Sequence, residues 1–181
     1  MKNIIQIFVA VCLFTANLSA QVYSTASGTI SFYSKTPVEE IEAKSNNTVV
    51  LLNTQSNAVV FQVQNTSFKF QNKLMEEHFN EKYMESEKFT SSTFAGKINE
   101  VIDYTKDGTY DVTVTGKLKI HGVEQVKTIN GKVIVKGQTI QLISNFKVKV
   151  ADHNIEIPKL VTAKIAEEIE VTVDAILLPK I

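Results

Sequence analysis

Three histidines, His78, His121 and His153, are the side chains best suited to proton transfer or metal binding, and their placement argues for neither. No two stand at the short spacing that puts ligands on one helix or loop. His78 follows Glu76 and Glu77 and reads as structural or solvent-exposed, His121 ends a strand before Gly122 and shapes a turn, and His153 belongs to a loop. Nucleophilic catalysis needs a serine held by a base, yet there is no Gly-x-Ser-x-Gly, and Ser91-Ser92 has no histidine near it in sequence. The acidic groups Glu39, Glu40 and Glu42, or Glu76 and Glu77, supply paired carboxylates of the kind glycosidases use, but such clusters usually form solvated surface. The glycines are isolated, so no loop cradles phosphate. The reading is a protein that is not an enzyme and has no metal and no cofactor.

Charge excludes another class. The 181 residues carry 19 basic and 19 acidic side chains, and every basic one is Lys. A neutral chain without Arg lacks both the electrostatic footprint and the bidentate guanine readers of a DNA-binding domain, so no nucleic-acid partner is expected.

The first twenty residues have a separate job. Lys2 precedes a run at positions 4–14 that is apolar apart from Gln6, and the run closes on Leu18-Ser19-Ala20. A charged start, a short apolar stretch and a small-residue end describe a secretory signal, and the stretch falls short of the roughly 20 apolar residues of a membrane span. The division is therefore a signal at 1–20 and one domain at 21–181, periplasmic or secreted, with no stable membrane insertion once the signal is removed. The single Cys, Cys12, lies in the signal, leaving the mature chain without a disulfide or a thiolate site.

What must position any site in that domain is β-structure. Tyr110, Val112, Val114, Leu118 and Ile120 alternate with Thr109, Asp111, Thr113, Lys117 and Lys119, and the same period of two recurs in Ile140, Leu142, Phe146 and Val148 and in Ile169, Val171 and Val173. Further strands are predicted at 28–34, 48–52, 58–64, 93–102 and 126–136. Asp107-Gly108 and Lys136-Gly137 read as hairpin turns, which makes the sheet antiparallel. Asn130-Gly131 reads as a bulge inside one long strand. Residues 72–84 break the pattern: Leu74, Met75, Phe79, Tyr83 and Met84 recur at helical spacing and predict a short amphipathic helix between strands, and a second helical turn is expected within 159–167.

Some eight strands of about ten residues would leave long unpaired edges in an open sheet, and closure removes them. The fold class predicted is all-β, an antiparallel eight-stranded barrel with one short helix inserted. An outer-membrane barrel is the competing closure; the absence of Trp, the lack of aromatic girdles and the soluble-looking helix weigh against it.

The stretch Leu74-Met75-Glu76-Glu77-His78-Phe79-Asn80-Glu81-Lys82-Tyr83-Met84-Glu85-Ser86, followed by Thr93-Phe94-Ala95-Gly96-Lys97-Ile98, resembles the central signature of the YceI-like family. Gly28-Thr29-Ile30-Ser31-Phe32-Tyr33-Ser34, Gly108-Thr109-Tyr110, Leu118-Lys119-Ile120-His121-Gly122 and Ile157-Pro158 extend the resemblance over the mature chain. The chain departs from the pattern at Thr90-Ser91-Ser92, where relatives have a proline, and at Asp152-His153-Asn154-Ile155. The resemblance implies a lipocalin-like barrel exported to the periplasm that binds isoprenoid or other long-chain amphiphilic lipid in an apolar lumen.

Under that implication Phe61, Val63, Phe94, Ile98, Val112, Val114, Leu142 and Phe146 touch the ligand tail, and a rim lysine, Lys69 or Lys73, meets an anionic headgroup. The aromatic set Phe61, Phe68, Phe70, Phe79, Tyr83, Phe89 and Phe94 has a plainer reading as a core plug at one barrel end. The alternative function is a packed barrel that contacts a protein partner through its loops and helix. Partners are thus an isoprenoid or fatty-acid-like lipid, with pairing into a homodimer left open.

Overall fold

The computed structural model describes residues 22–180; the predicted signal at 1–20 lies outside them. Nine strands form one antiparallel sheet: β1 (Val22–Lys35), β2 (Glu40–Asn53), β3 (Ala58–Gln64), β4 (Lys69–Phe70), β5 (Ser91–Ile98), β6 (Gly108–Ile120), β7 (Val123–Lys136), β8 (Thr139–Lys149) and β9 (Glu168–Pro179). β1 pairs with β9 on one side and with β2 on the other, so eight strands close in the order β1-β2-β3-β5-β6-β7-β8-β9. The two-residue β4 is an outlier that pairs with β2 at Ala43 and Lys44, beyond the end of β3.

Closure follows from alternation. Val112, Leu118, Val133, Ile140, Leu142, Val148 and Val173 are buried inside, whereas Asp111, Lys117, Lys119 and Lys132 stand on the outer face. On most strands the apolar side faces the barrel axis; β2, β3 and β9 also expose Val49, Leu51, Val60, Ile176 and Leu178 on the outer face.

β1 and β2 run longer than the period predicts. β2 begins at Glu40, where inward Ala43 and Ser45 are too small to mark an apolar face; Glu40 and Glu42 are outward positions of this strand. The irregularities fall between β1 and β2, whose register shifts between Thr25 and Gly28 with the extra residue in β1 and again between Gly28 and Ile30 with the extra residue in β2. At the expected place, β7 is regular, with Gly131 opposite Val112 and Ser144. Gly131 lacks a side chain because β8 comes close there: a Cβ would lie 2.8 Å from the Ile143 carbonyl oxygen.

Lys136-Gly137 does turn β7 into β8, with Gly137 at φ 57°. Asp107-Gly108 is no hairpin: β5 ends at Ile98, and residues 99–107 fold across that barrel end with Ile102 buried. Tyr104 Oη donates to Asn57 Oδ1 at 3.0 Å, and Asp107 Oδ1 accepts from the Gly137 amide at 2.8 Å, so Asp107 caps the neighbouring turn instead of making its own.

The predicted helix is shorter and changes type. The helix α1 (Lys73–His78) starts at Asn72, whose Oδ1 accepts from the Leu74 amide at 2.9 Å, and passes into a wider π-turn at Phe79–Tyr83. The second helical turn is one 3₁₀ turn, Lys159–Val161, in keeping with the poor helix propensity of Val161, Thr162 and Ile165.

Candidate functional site

The antiparallel order sends the two barrel ends to different tasks. One end, where β2 meets β3, β5 meets β6 and β7 meets β8, is packed solid by Leu52, Ile102, Val135, Ile140 and Leu177. Burial there pushes the Tyr104 hydroxyl up to about 12. Toward the other end the side chains draw apart around a cavity of about 560 Å³ that opens between α1, the β1–β2 turn and residues 155–165.

All eight residues predicted for the lumen, Phe61, Val63, Phe94, Ile98, Val112, Val114, Leu142 and Phe146, line this cavity. Val59, Ile98, Val112 and Val133 form its floor above the packed end. Small inward positions create the hollow. Gly131 and Ser144 face one another across the β7–β8 ladder and line the cavity, whereas the Gly96–Gly116 pair is covered by the Phe94 ring, which forms the wall there. A Cβ on Gly116 would meet the Ala95 carbonyl oxygen at 2.4 Å, so the two strands approach more closely there than any other residue permits.

The aromatic set divides between plug and wall. Phe32, Phe68, Phe70 and Phe79 pack with ring centroids 5.1 to 5.7 Å apart near the mouth, and all four also border the cavity. Phe89 belongs to neither: its ring packs edge-on against His121 at 4.5 Å. Burial raises the pKa of Tyr83, which also lines the mouth.

The lysines chosen for a headgroup lie elsewhere. Lys69 pairs with Glu76 Oε1 at 2.7 Å, away from the lumen, and that lysine holds the Glu76 carboxyl below its usual range. Lys73 is exposed at the first position of α1 and does not line the cavity. The charged residues at the mouth are Glu39 and Lys164, with Lys164 Nζ 3.6 Å from Glu39 Oε2. Lys164 lies within 159–167, where the sequence predicts a helical turn but nothing places that turn at the mouth, so it was not among the residues expected there.

Histidine chemistry does not assemble. His78 is half-buried at the mouth, and His153 is fully buried, with its Nδ1–H directed at the Val123 carbonyl at 3.1 Å. Among the described residues no three His, Cys, Asp or Glu side chains gather as a metal site would require. Ser92 donates to Asn65 Oδ1 at 2.9 Å, and the Asn65 amide donates to the Phe89 carbonyl at 2.6 Å; both partners serve the fold. What the arrangement offers is a deep apolar container with a narrow polar rim.

Solved structures share this architecture. A polyisoprenoid binding domain from Saccharophagus degradans, implicated in plant cell wall breakdown, superposes with a TM-score of 0.75 at 14% identity, covering 90% of this chain and all of its own. BcnA of Burkholderia cenocepacia gives 0.69 at 18% identity over 84% of this chain and 96% of its own. The YCEI protein of Campylobacter jejuni gives 0.59 at 16%, over 75% and 81%. At such identities the likeness establishes the barrel and nothing finer. No curated protein matches the chain significantly. The model of the YceI-like domain matches residues 13–177, and on that match over most of its length the protein belongs to the YceI-like family.

Proposed function

We propose that this protein is an exported, periplasmic or secreted carrier that sequesters a long-chain, isoprenoid-type amphiphile inside its barrel. The observation that supports the reading most is the 560 Å³ cavity, lined mainly by apolar side chains. The Saccharophagus degradans neighbour is described as polyisoprenoid-binding, which agrees with it. Each buried methylene contributes about 0.8 kcal/mol, so ten of them supply roughly 8 kcal/mol before ordering costs. Micromolar affinity corresponds to about −8.2 kcal/mol, so such a site works without specific polar chemistry. The alternative, a packed barrel that contacts a protein partner through its loops and helix, is weakened by the hollow half.

Native mass spectrometry of the exported protein tests the reading. A co-purifying hydrophobic guest is expected, and after its extraction the chain should take up a long-chain isoprenoid alcohol. Val114→Glu places a carboxylate in the apolar wall and should weaken uptake by at least about tenfold. Lys69→Ala should leave it unchanged, because that lysine is engaged outside the lumen. A chain that carries no guest and accepts none, with Val114→Glu indistinguishable from it, would overturn the proposal.

A further inference from the structure

Three exposed aliphatic side chains, Val38, Leu74 and Leu160, stand on the elements between which the cavity opens: the β1–β2 turn, α1 and the Lys159–Val161 turn. Leu160 is 96% exposed, Val38 63% and Leu74 56%. Each adjoins the cavity lining, since Glu39 follows Val38, Val161 follows Leu160, and Leu74 itself borders the cavity. Single apolar residues are ordinary on a protein surface, whereas three on separate segments around one opening mark a place of contact.

Local hydrogen bonds fix the turns that carry them. The Val38 amide donates to Thr36 Oγ1 at 3.3 Å, the Leu74 amide to Asn72 Oδ1 at 2.9 Å, and the Val161 amide to the Pro158 carbonyl at 2.9 Å, across Leu160. The Ala166 amide donates to Ser34 Oγ at 2.9 Å and fastens the chain beyond that last turn to the end of β1. The display is formed in advance, so burying these side chains costs little further ordering.

Charge narrows the choice of partner. Lys35 pairs with Glu40 at 2.8 Å, Lys164 with Glu39 at 3.6 Å and Lys69 with Glu76 at 2.7 Å. The other charges beside the tips, Lys73 and Glu77 on α1 and Glu156 and Lys159 near the last turn, balance sign for sign. A rim with apolar tips and no net charge matches a surface that is itself neutral and offers apolar depth. A rigid protein face laid across the tips would leave the centre of the opening uncovered, whereas a fluid lipid surface follows it.

We infer that the protein docks by its mouth on a zwitterionic lipid bilayer, with Val38, Leu74 and Leu160 inserted at the interface, so that its guest passes between membrane and lumen without crossing water. The docking takes its purpose from the carrier reading and its strength from the three side chains. Together they carry fewer carbons than one myristoyl chain, which alone gives only marginal, reversible attachment, so the protein visits the membrane and leaves it.

An environment-sensitive fluorophore reads this geometry. The only Cys, Cys12, lies in the predicted signal, so Val38→Cys, Leu74→Cys, Leu160→Cys and Val101→Cys each give the delipidated exported protein one labelling site. With phosphatidylcholine vesicles the first three labels should shift to the blue, and the label at position 101, 95% exposed at the packed end, should not. In vesicle sedimentation Leu160→Glu should lower the partition coefficient by at least about tenfold, and Val101→Glu should leave it unchanged. Both positions are exposed, so both variants fold. Raising salt from about 0.05 to about 0.5 M should change binding less than about twofold, because no net charge holds the protein there.

No shift at any tip, an equal shift at position 101, or binding that requires anionic lipid overturns the docking. A dimer in solution that Leu160→Glu dissociates overturns it too, by assigning the tips to a second copy. Leu160 does not line the cavity, so Leu160→Glu should still take up a long-chain isoprenoid alcohol from aqueous dispersion. If the wild type takes up the alcohol but never binds vesicles, the docking fails and the carrier reading stands. If it takes up none, the carrier reading fails, and the purpose given to the docking fails with it.

Discussion

His121 Nε2 lies 2.7 Å from Glu85 Oε2, an interaction that ties the β6–β7 turn to the segment following the π-turn beneath the barrel mouth. Both residues hold positive φ, 50° for His121 and 42° for Glu85, in a region costly for side-chain-bearing residues. His121 Nδ1 lies 3.2 Å from the His153 carbonyl oxygen, so one imidazole bridges the two segments that flank the mouth.

Breaking that tie should loosen the mouth before it unfolds the barrel. Glu85→Ala removes the hydrogen bond and keeps the unfavourable backbone, and should lower unfolding free energy by about 1 to 3 kcal/mol. Glu85→Gly loses the same bond but relieves the backbone, and should be about 1 kcal/mol less damaging. Urea denaturation of the two variants checks the order, and hydrogen exchange should rise first in residues 85–90 and 150–155.

Acid should destabilise the protein in two stages. Burial, above all, holds the His153 pKa below its usual 6.5, aided by Lys127 and opposed by the Val123 and Ile120 carbonyls and by Asp152. The unfolded chain therefore binds the proton more readily, and stability is lost as pH falls below 6.5. Glu100, hydrogen-bonded by the Thr113 amide at 2.8 Å, and Glu76, paired with Lys69, have pKa values below their usual 4.5 and add a second loss as pH falls further. Thermal melts at stepped pH should show the first loss in wild type, and His153→Gln should remove the step near pH 6.5.

The packed and hollow halves should answer differently to truncation. Leu177→Ala empties a fully buried site at the solid end and should cost about 2 to 5 kcal/mol. Phe146→Ala removes a half-buried ring from the cavity wall, where less packing is lost, and should cost less than Leu177→Ala in the guest-free protein. Chemical denaturation of both variants after delipidation gives the comparison; equal losses would mean that the lumen is no hollow in solution.

Glycine substitutions should separate close approach from backbone strain. Gly116→Ala would place a Cβ 2.4 Å from the Ala95 carbonyl oxygen and 2.5 Å from Gly96 Cα, both backbone, and should cost about 3 kcal/mol or more. Gly137→Ala meets nothing within 4 Å and bears only the cost of φ 57°, about 1 kcal/mol. Melting temperatures of the pair should differ in that order.

Periodicity told which residues share a strand face, because alternation is a local property of the chain: Val112 and Val114, or Leu142 and Phe146, were legible as one face before any strand was paired with another. That this face points inward came from the missing aromatic girdles, the soluble-looking helix and the resemblance. The barrel and its helix were legible for the same reason, supported by the resemblance across Leu74 to Ile98. Where side chains are small, as at Ala43 and Ser45 in the first half of β2, the alternation carries no signal, and only the second half, at 48–52, was legible. Whether the axis is filled was beyond sequence, since that depends on how small inward positions such as Gly131 and Ser144 are brought face to face by strand register. The rim was beyond it too. Lys164 meets Glu39 only because residues 155–165 fold back over the β1–β2 turn, whereas Lys69, nearer in sequence to the aromatic cluster, turns outward to Glu76. Local pattern decides what a segment is; the space between segments, and the charge at its edge, exist only once the barrel closes.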